Sequence, residues 1–372
     1  MSEHLLVVTT NYSHTSGGVE GHLAALLPLL VQRGVRVTLL HLAADSAITD
    51  ERGVRVWALR RRLDFRRILA LPGPLDLLRA VRSMRKWQEG PAPVTVIATH
   101  TRFFPMTLIG VALGRLLRVP VVHTEHGGGH VATSSRVVDL VSRLVDITIG
   151  RLVLRSATRV LAVSRDGQRF VRELAGVEAR LFHNGVDLAR WVSEGAVPPD
   201  LRNLVFVGRL VHEKGWRTFL AVAAECELRG WKGEALVCGD GPDRALVGRT
   251  AEALGVTRAR VLGSVPPETV RNAFHGGVYL NPTTAAEGFQ LTLIEAAAAG
   301  ASIVTYAVGG TDELADLPGT DIVIIAKGDE KGLAAATWAA LNRRPPSPEL
   351  SALSAWDWTS VANEYVSVLR SV

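Results

Sequence analysis

The 372-residue chain is 47% hydrophobic, which gives apolar material for two packed domains and excludes a disordered chain. Its two cysteines, Cys226 and Cys238, sit in apolar surroundings and exclude a disulfide framework, and no run of 18 apolar residues exists to span a bilayer. The net charge of +6 divides into +11 over residues 1–190 and −5 over 191–372, so the basic first half points to anionic partners and the sign change marks a boundary near 190.

His4 to Thr10 reads as a strand, Asn11 to Gly18 as a polar loop, and Glu20 to Arg33 as a helix with Leu23, Leu26, Leu27, Leu30 and Val31 on one face. With the strand Val35 to Leu42 this is the βαβ opening of a doubly wound sheet. Leu5 to Val8 is a strand's length, shorter than the apolar core of a secretion signal, which fits a cytoplasmic protein. Gly17 and Gly18 stand in the first β-to-α turn, where backbone approaches a ligand closely, but no G-x-G-x-x-G is present for a dinucleotide. Arg60 to Lys86 carries nine basic residues against Asp64 and Asp76, interleaved with leucines and broken by Pro72-Gly73-Pro74. It reads as two short helices, either docking peripherally on an anionic membrane face or simply solvated on one side. Nucleic acid is disfavoured, because only Phe65 and Trp87 offer stacking.

The strand Val94 to Ala98 ends at Thr99-His100, and Val119 to His123 runs into T-E-H-G-G-G-H, residues 124–130. Strand ends followed by glycine loops are where open α/β sheets place ligands. His123, His126 and His130 do not make a metal site, because three glycines prevent a helix from aligning them and no Cys or Asp joins them. Ser135 to Ala157 is a long amphipathic helix, Thr158 to Ser164 a strand, and Asp166 to Leu174 a helix. Asn184-Gly185-Val186-Asp187 is a turn, and a hinge is expected over 184–200 with Pro198-Pro199 inside it.

The second half restarts the rhythm: strand Asn203 to Val207, the loop G-R-L-V-H-E-K-G, then helix Trp216 to Arg229. Arg209 and Lys214 flank that loop, and two cations beside helix-start amides suit a diphosphate. Strand Ala235 to Cys238 leads to Gly239-Asp240-Gly241-Pro242, and Arg260 to Leu262 to Gly263-Ser264-Val265-Pro266. Asp240 and Asp243 do not form a D-x-D metal motif. The stretch NPTTAAEGFQLTLIEAAAAG, 281–300, follows the strand Gly277 to Leu280. Its loop carries Glu287, and its helix starts at Leu291, holds Glu295 and closes at Gly300. The amides of Gly288, Phe289, Gln290, Leu291 and Thr292 precede or open that helix and make a seat for phosphate or sugar oxygens. Strand Ser302 to Tyr306, the loop V-G-G-T and a terminal helix from Trp356 to Val368 complete the chain.

In this order the Gly-Gly loop, His126-Gly127, N-G-V-D, G-R-L-x-x-x-K-G, G-D-G-P and the E-x7-E from Glu287 to Glu295 resemble the retaining glycosyltransferases of family four. The resemblance implies the GT-B fold: an acceptor-binding Rossmann-like domain over 1–190, a nucleotide-sugar domain over 191–350 facing it across a cleft, and a terminal helix, 351–372, crossing back. It implies a metal-independent hexosyltransferase moving sugar from a UDP- or GDP-linked donor to a saccharide, lipid-linked or small-molecule acceptor, without cofactor or metal. Arg209 and Lys214 would clamp the diphosphate, Glu287 and the following amides hold the sugar, and Glu295 hold the ribose. His126 would touch the donor sugar, Gly17 and Gly18 face the donor, Val265 contact the base, and His100 and His130 lie on the acceptor side. Gln290 stands where the family usually has glycine, and Ala285-Ala286 replace bulkier residues, which bears on the choice of sugar. Rival readings are a hydrolase or epimerase on the same fold, with Glu287 and Glu295 as acid and base, or a basic nucleic-acid- or membrane-binding protein.

Overall fold

The computed structural model describes residues 3–12, 18–65, 69–130, 136–192, 202–285 and 287–372. The chain separates into two compact units, residues 1–185 with 358–372, and residues 186–357.

The first unit opens with strand β1 (His4–Val8), helix α1 (Gly18–Gln32), β2 (Arg36–Ala43), β3 (Ala47–Glu51), β4 (Val54–Phe65), β5 (Leu69–Pro72) and α2 (Pro74–Gln88). It continues with β6 (Val96–His100), α3 (Pro105–Leu117), β7 (Val121–Glu125), α4 (Arg136–Val145), a π-helical turn (Asp146–Gly150) and α5 (Arg151–Ser156). β8 (Arg159–Ala162), α6 (Arg165–Ala175) and the short β9 (Arg180–Leu181) follow. The strand order is β3-β4-β2-β1-β6-β7-β8-β9, parallel except where β3 and β5 pair antiparallel with β4. β1, β6 and β7 are buried along their whole length, so they read as continuous apolar runs, as strands covered on both faces do.

The basic stretch expected as two helices is otherwise arranged. Arg60 to Phe65 extends β4, which turns back through β5, and only Pro74 onward is helical. Pro72-Gly73-Pro74 still breaks the segment, because Pro74 occupies the first turn of α2, where its missing N–H costs nothing.

The second unit comprises α7 (Leu188–Trp191), β10 (Leu204–Val207), α8 (Trp216–Leu228), β11 (Ala235–Cys238), α9 (Arg244–Ala253), β12 (Ala259–Gly263) and α10 (Pro267–Phe274). It ends with β13 (Val278–Asn281), α11 (Leu291–Ala298), β14 (Ser302–Tyr306), α12 (Thr311–Ala315), β15 (Ile322–Ile325) and α13 (Glu330–Leu341). All six strands are parallel, ordered β12-β11-β10-β13-β14-β15. Trp216, Phe219, Leu220, Phe206 and Leu333 fill the core on one side of this sheet. Each such buried side chain contributes about 1.5–3 kcal/mol of apolar transfer free energy.

The last helix, α14 (Trp358–Arg370), belongs to the first unit. Its Val361, Tyr365 and Leu369 share one core with Leu23, Leu27 and Leu30 of α1, and Arg33 donates to Asn363 and to the Thr359 carbonyl.

Candidate functional site

Each sheet reverses its winding once, and ligand crevices in such sheets lie beyond the carboxyl ends of the strands at that point. In the second unit the reversal falls between β10 and β13, and their loops, 208–215 and 282–290, carry Arg209, Lys214 and Glu287. The two loops are tied through one carbonyl. Glu213 O accepts from the amides of Thr284 (2.8 Å) and Ala285 (3.2 Å) and from the Thr283 (3.1 Å) and Thr284 (3.3 Å) hydroxyls. Gly215 lets the loops meet: its φ is +77°, and a Cβ there would stand 2.1 Å from the Pro282 carbonyl oxygen. The consequence is a pair that sequence spacing did not show. Lys214 Nζ donates to Glu287 Oε1 at 2.6 Å, with both side chains about three-quarters buried.

Arg209 is exposed and has no side-chain hydrogen bond or ion pair among the described residues, so its guanidinium is available to a ligand. On the far side of Glu287 the loop rests on Gly309, where a Cβ would stand 2.4 Å from the Gly288 carbonyl oxygen.

The five amides expected to open α11 divide. Gly288, Leu291 and Thr292 carry backbone N–H groups with no acceptor among the described residues. The Gln290 amide donates to the Gly309 carbonyl at 3.2 Å and is not part of an open anion seat. The Gln290 side chain is buried and accepts from Asn281 Nδ2 at 2.5 Å, which also donates to Thr305 at 2.9 Å. Phe289 turns inward against Trp356. Both residues therefore shape the loop from beneath. Glu295, one helical turn further on, is held in low-dielectric surroundings that push its carboxyl up to about 7, partly offset by the charge of Arg190. Val265 is partly buried after β12, two strands from β10.

In the first unit the reversal falls between β1 and β6. Gly18 opens α1, whereas Gly17 and residues 193–200 of the expected hinge lie outside the described residues. His100 ends β6, and His126 follows β7. His100 Nδ1 lies 3.1 Å from His126 Nε2. His22 of α1, which the sequence did not single out, packs on both rings, with centroids 6.2 and 5.3 Å away. Burial, and after it repulsion from His22, hold His100 and His126 well below the ordinary histidine pKa, and burial takes His22 down to about 4. All three are neutral at pH 7.

That neutrality fixes which histidine owns the shared proton. His100 Nε2 is buried without a partner. If His126 donated its Nε2–H, His100 Nε2 would be an orphaned N–H; if His100 donates from Nδ1, its Nε2 is only an idle lone pair. Buried orphaned N–H groups are much the rarer. His100 thus donates, and His126 carries its own proton on Nδ1, an atom neither sealed in the core nor bonded among the described residues. His126 is set as a hydrogen-bond donor to whatever meets that nitrogen.

The glycine loop is anchored by a buried network that local spacing did not reveal. Arg102, wholly buried, donates to Glu125 Oε1 (2.9 Å), to both oxygens of Asp146 (2.9 Å each) and to the Gly129 carbonyl (3.0 Å). Glu125 also accepts from the Gly127 amide at 2.8 Å. Burial by itself would raise the Glu125 carboxyl, but the Arg102 charge overrides it and brings it down to about 2. His130 lies with Nδ1 2.6 Å from Asp146 Oδ2 and its ring edge-on to Phe170, so it is a member of this network. The only sequence signal for Arg102 is a lone arginine directly after a strand end, followed by two phenylalanines. Among the described residues no group of three or more His, Cys, Asp or Glu could hold a metal ion.

The Glycosyltransferase Family 4 model matches residues 16–190, and the Glycosyl transferases group 1 model matches residues 202–343. One subunit of the human phosphatidylinositol N-acetylglucosaminyltransferase is 24% identical over 366 residues, 94% of this chain and 71% of the relative. Among solved structures, sucrose-phosphate synthase from Thermosynechococcus elongatus superposes with a TM-score of 0.74 at 19% identity, covering 99% of this chain and 98% of that one. Anabaena HepE in complex with UDP superposes with a TM-score of 0.71 at 17% identity, each chain covered completely.

Proposed function

Because this chain belongs to the family-four, group-one glycosyltransferases with the GT-B fold, we propose that it transfers a hexose from a UDP- or GDP-linked donor to a hydroxyl acceptor, with retention and without a metal. The observation that carries the reading is the Glu213 carbonyl, which zips the cation loop to the acid loop and so brings Lys214 against Glu287 at the reversal of the second sheet. UDP is the first nucleotide to test, because the fold neighbour HepE was solved with it.

Each residue then has a task. Arg209 grips two diphosphate oxygens and Lys214 supplies a point charge, so both stabilise the charge that grows as the leaving group departs. Glu287 fixes Lys214 and accepts from sugar hydroxyls, helped by the open amides of Gly288, Leu291 and Thr292. Glu295 accepts from the ribose hydroxyls, whose bonds favour its ionised form. Val265 borders the base. His126 donates from Nδ1 to a hydroxyl oxygen of the donor sugar and so orients the sugar for departure. A phosphate oxygen takes the acceptor proton, the glycosidic bond to diphosphate breaks, and the new bond forms on the same face. Glu287 is then a positioning group and not a nucleophile. The acceptor side takes a saccharide, lipid-linked or small-molecule acceptor; His130 is partly exposed toward it, whereas the buried His100 acts only through His126.

The test is donor consumption with and without an acceptor panel, in EDTA and in magnesium. Product that forms only with acceptor, survives EDTA and keeps the donor's anomeric configuration by NMR supports the reading. Donor loss without acceptor would make the protein a hydrolase.

A further inference from the structure

Helix α4, the π-turn and α5 form one helical run over residues 136–156 that is amphipathic the wrong way round for a soluble domain. Val137, Leu140, Val141, Leu144, Ile147 and Leu152 are exposed by 72, 70, 54, 58, 43 and 46%. At i, i+3, i+4, i+7 and i+10 the first five make a continuous apolar stripe. The stripe is held outward. On the opposite side of the run, Asp146 is buried in the ion pair with Arg102, Gly150 closes against the Arg102 side chain, and Val153 and Leu154 are fully buried. Turning the stripe inward would strand a buried guanidinium.

The charges along the run have one sign. Arg143, Arg151 and Arg155 are exposed, while its two acids are withdrawn, Asp146 buried and Asp139 partly buried with a partner. We propose that the α4–α5 face seats this protein on an anionic lipid surface. Apolar side chains enter the acyl boundary while arginines meet phosphate headgroups, the combination that makes interfacial helices bind. A second copy of the chain fits less well, because a two-fold contact would bring two arginine-bearing rims together with no exposed acid on this run to answer them. The basic α2 packs against α3, and α3 against α5, so the stretch the sequence marked as membrane-facing lies in the same helical layer. Given the transferase reading, a lipid-linked acceptor follows, since Asp146 couples this run to His130.

The test is co-sedimentation of the full chain with vesicles of pure phosphatidylcholine and of 7:3 phosphatidylcholine:phosphatidylglycerol. Wild type should partition to the anionic vesicles and be released by high salt. Leu140→Ser/Leu144→Ser, both exposed, should weaken that partition at least tenfold, and Arg143→Glu should weaken it in low salt, with Tm and the UDP thermal shift unchanged. Equal partition of wild type and the double serine variant overturns the proposal. So does a concentration-dependent dimer, abolished by the same variant, in a protein that ignores vesicles. Loss of vesicle binding with donor turnover intact would fell the docking surface and leave the transferase standing, whereas vesicle binding without turnover would do the reverse.

Discussion

The proton assignment between His100 and His126 can be tested directly. His100→Phe keeps the aromatic volume between His22 and His126 but removes the Nδ1–H that occupies His126 Nε2. A buried hydrogen bond of this kind is worth about 0.5–1.5 kcal/mol net, and stranding its partner costs about 1–3 kcal/mol. With His100 gone, His126 Nε2 is left as an idle lone pair, so its proton stays on the outward Nδ1, but the ring loses the bond that aims it. If the Nδ1–H contact to a sugar oxygen matters only as the leaving group departs, kcat should fall about tenfold, the factor that 1.4 kcal/mol represents, while KM for the donor stays near wild type. His100→Asn, whose amide can donate from a similar position, should restore part of the rate. The decisive readout is 15N NMR of histidine-labelled protein near pH 7.5. Wild-type His126 should show the Nδ1–H tautomer, and His100→Phe should keep it, since an Nε2–H facing the phenyl ring would have no acceptor. An Nε2–H tautomer in wild type, or wild-type kinetics in His100→Phe, would refute the orphaned-donor reasoning.

Arg209→Ala should lower turnover by about 100-fold or more, the range for losing one charge-stabilising donor, with Tm unchanged because the guanidinium has no partner to lose among the described residues. Arg102→Met should destabilise the first unit by about 3–5 kcal/mol by stranding the buried carboxylates of Glu125 and Asp146; a chemical-denaturation midpoint within error of wild type would contradict the network. Glu295 titrates near 7 in the fold against 4.5 when free, so the folded chain keeps a proton that the unfolded chain has lost, and this costs stability increasingly as pH rises from 4.5 through 7. Glu295→Gln should therefore stabilise the protein by about 1–3 kcal/mol at pH 8 and by nothing at pH 4.5, seen in thermal melts at the two values. His22, His100 and His126 act oppositely: neutral in the fold and depressed below 6.5, they leave stability intact above that pH and withdraw it as pH falls toward 4, so His22→Phe should flatten the acid limb of Tm against pH.

The strands and their loops were legible because buried parallel strands leave unbroken apolar runs, and Leu5 to Val8, Leu204 to Val207 and Ser302 to Tyr306 could hardly be anything else. Arg60 to Phe65 misled for the opposite reason. Three successive arginines followed by Leu63, Asp64 and Phe65 give neither an unbroken apolar run nor a clean alternation, and only the partner strand Leu69–Pro72 decides between the two periods. Within the site, sequence could nominate Lys214 and Glu287 separately, but their contact depends on the Glu213 carbonyl receiving two threonine hydroxyls and two amides from about seventy residues away. Gln290 shows the same limit. Its place beside Glu287 suggested a ligand amide, yet Gly309 approaches so closely that its carbonyl takes the Gln290 N–H, and Asn281 claims the side chain. His22 and Arg102 were invisible because neither lies in a loop motif. One faces inward from a leucine-rich helix, and the other is a charge that only two buried acids make tolerable. Side chains that meet the ligand sit where chain geometry forces loops and glycines, and those leave a mark in the sequence. The groups that aim them do so by long-range burial and proton placement, which local spacing does not encode.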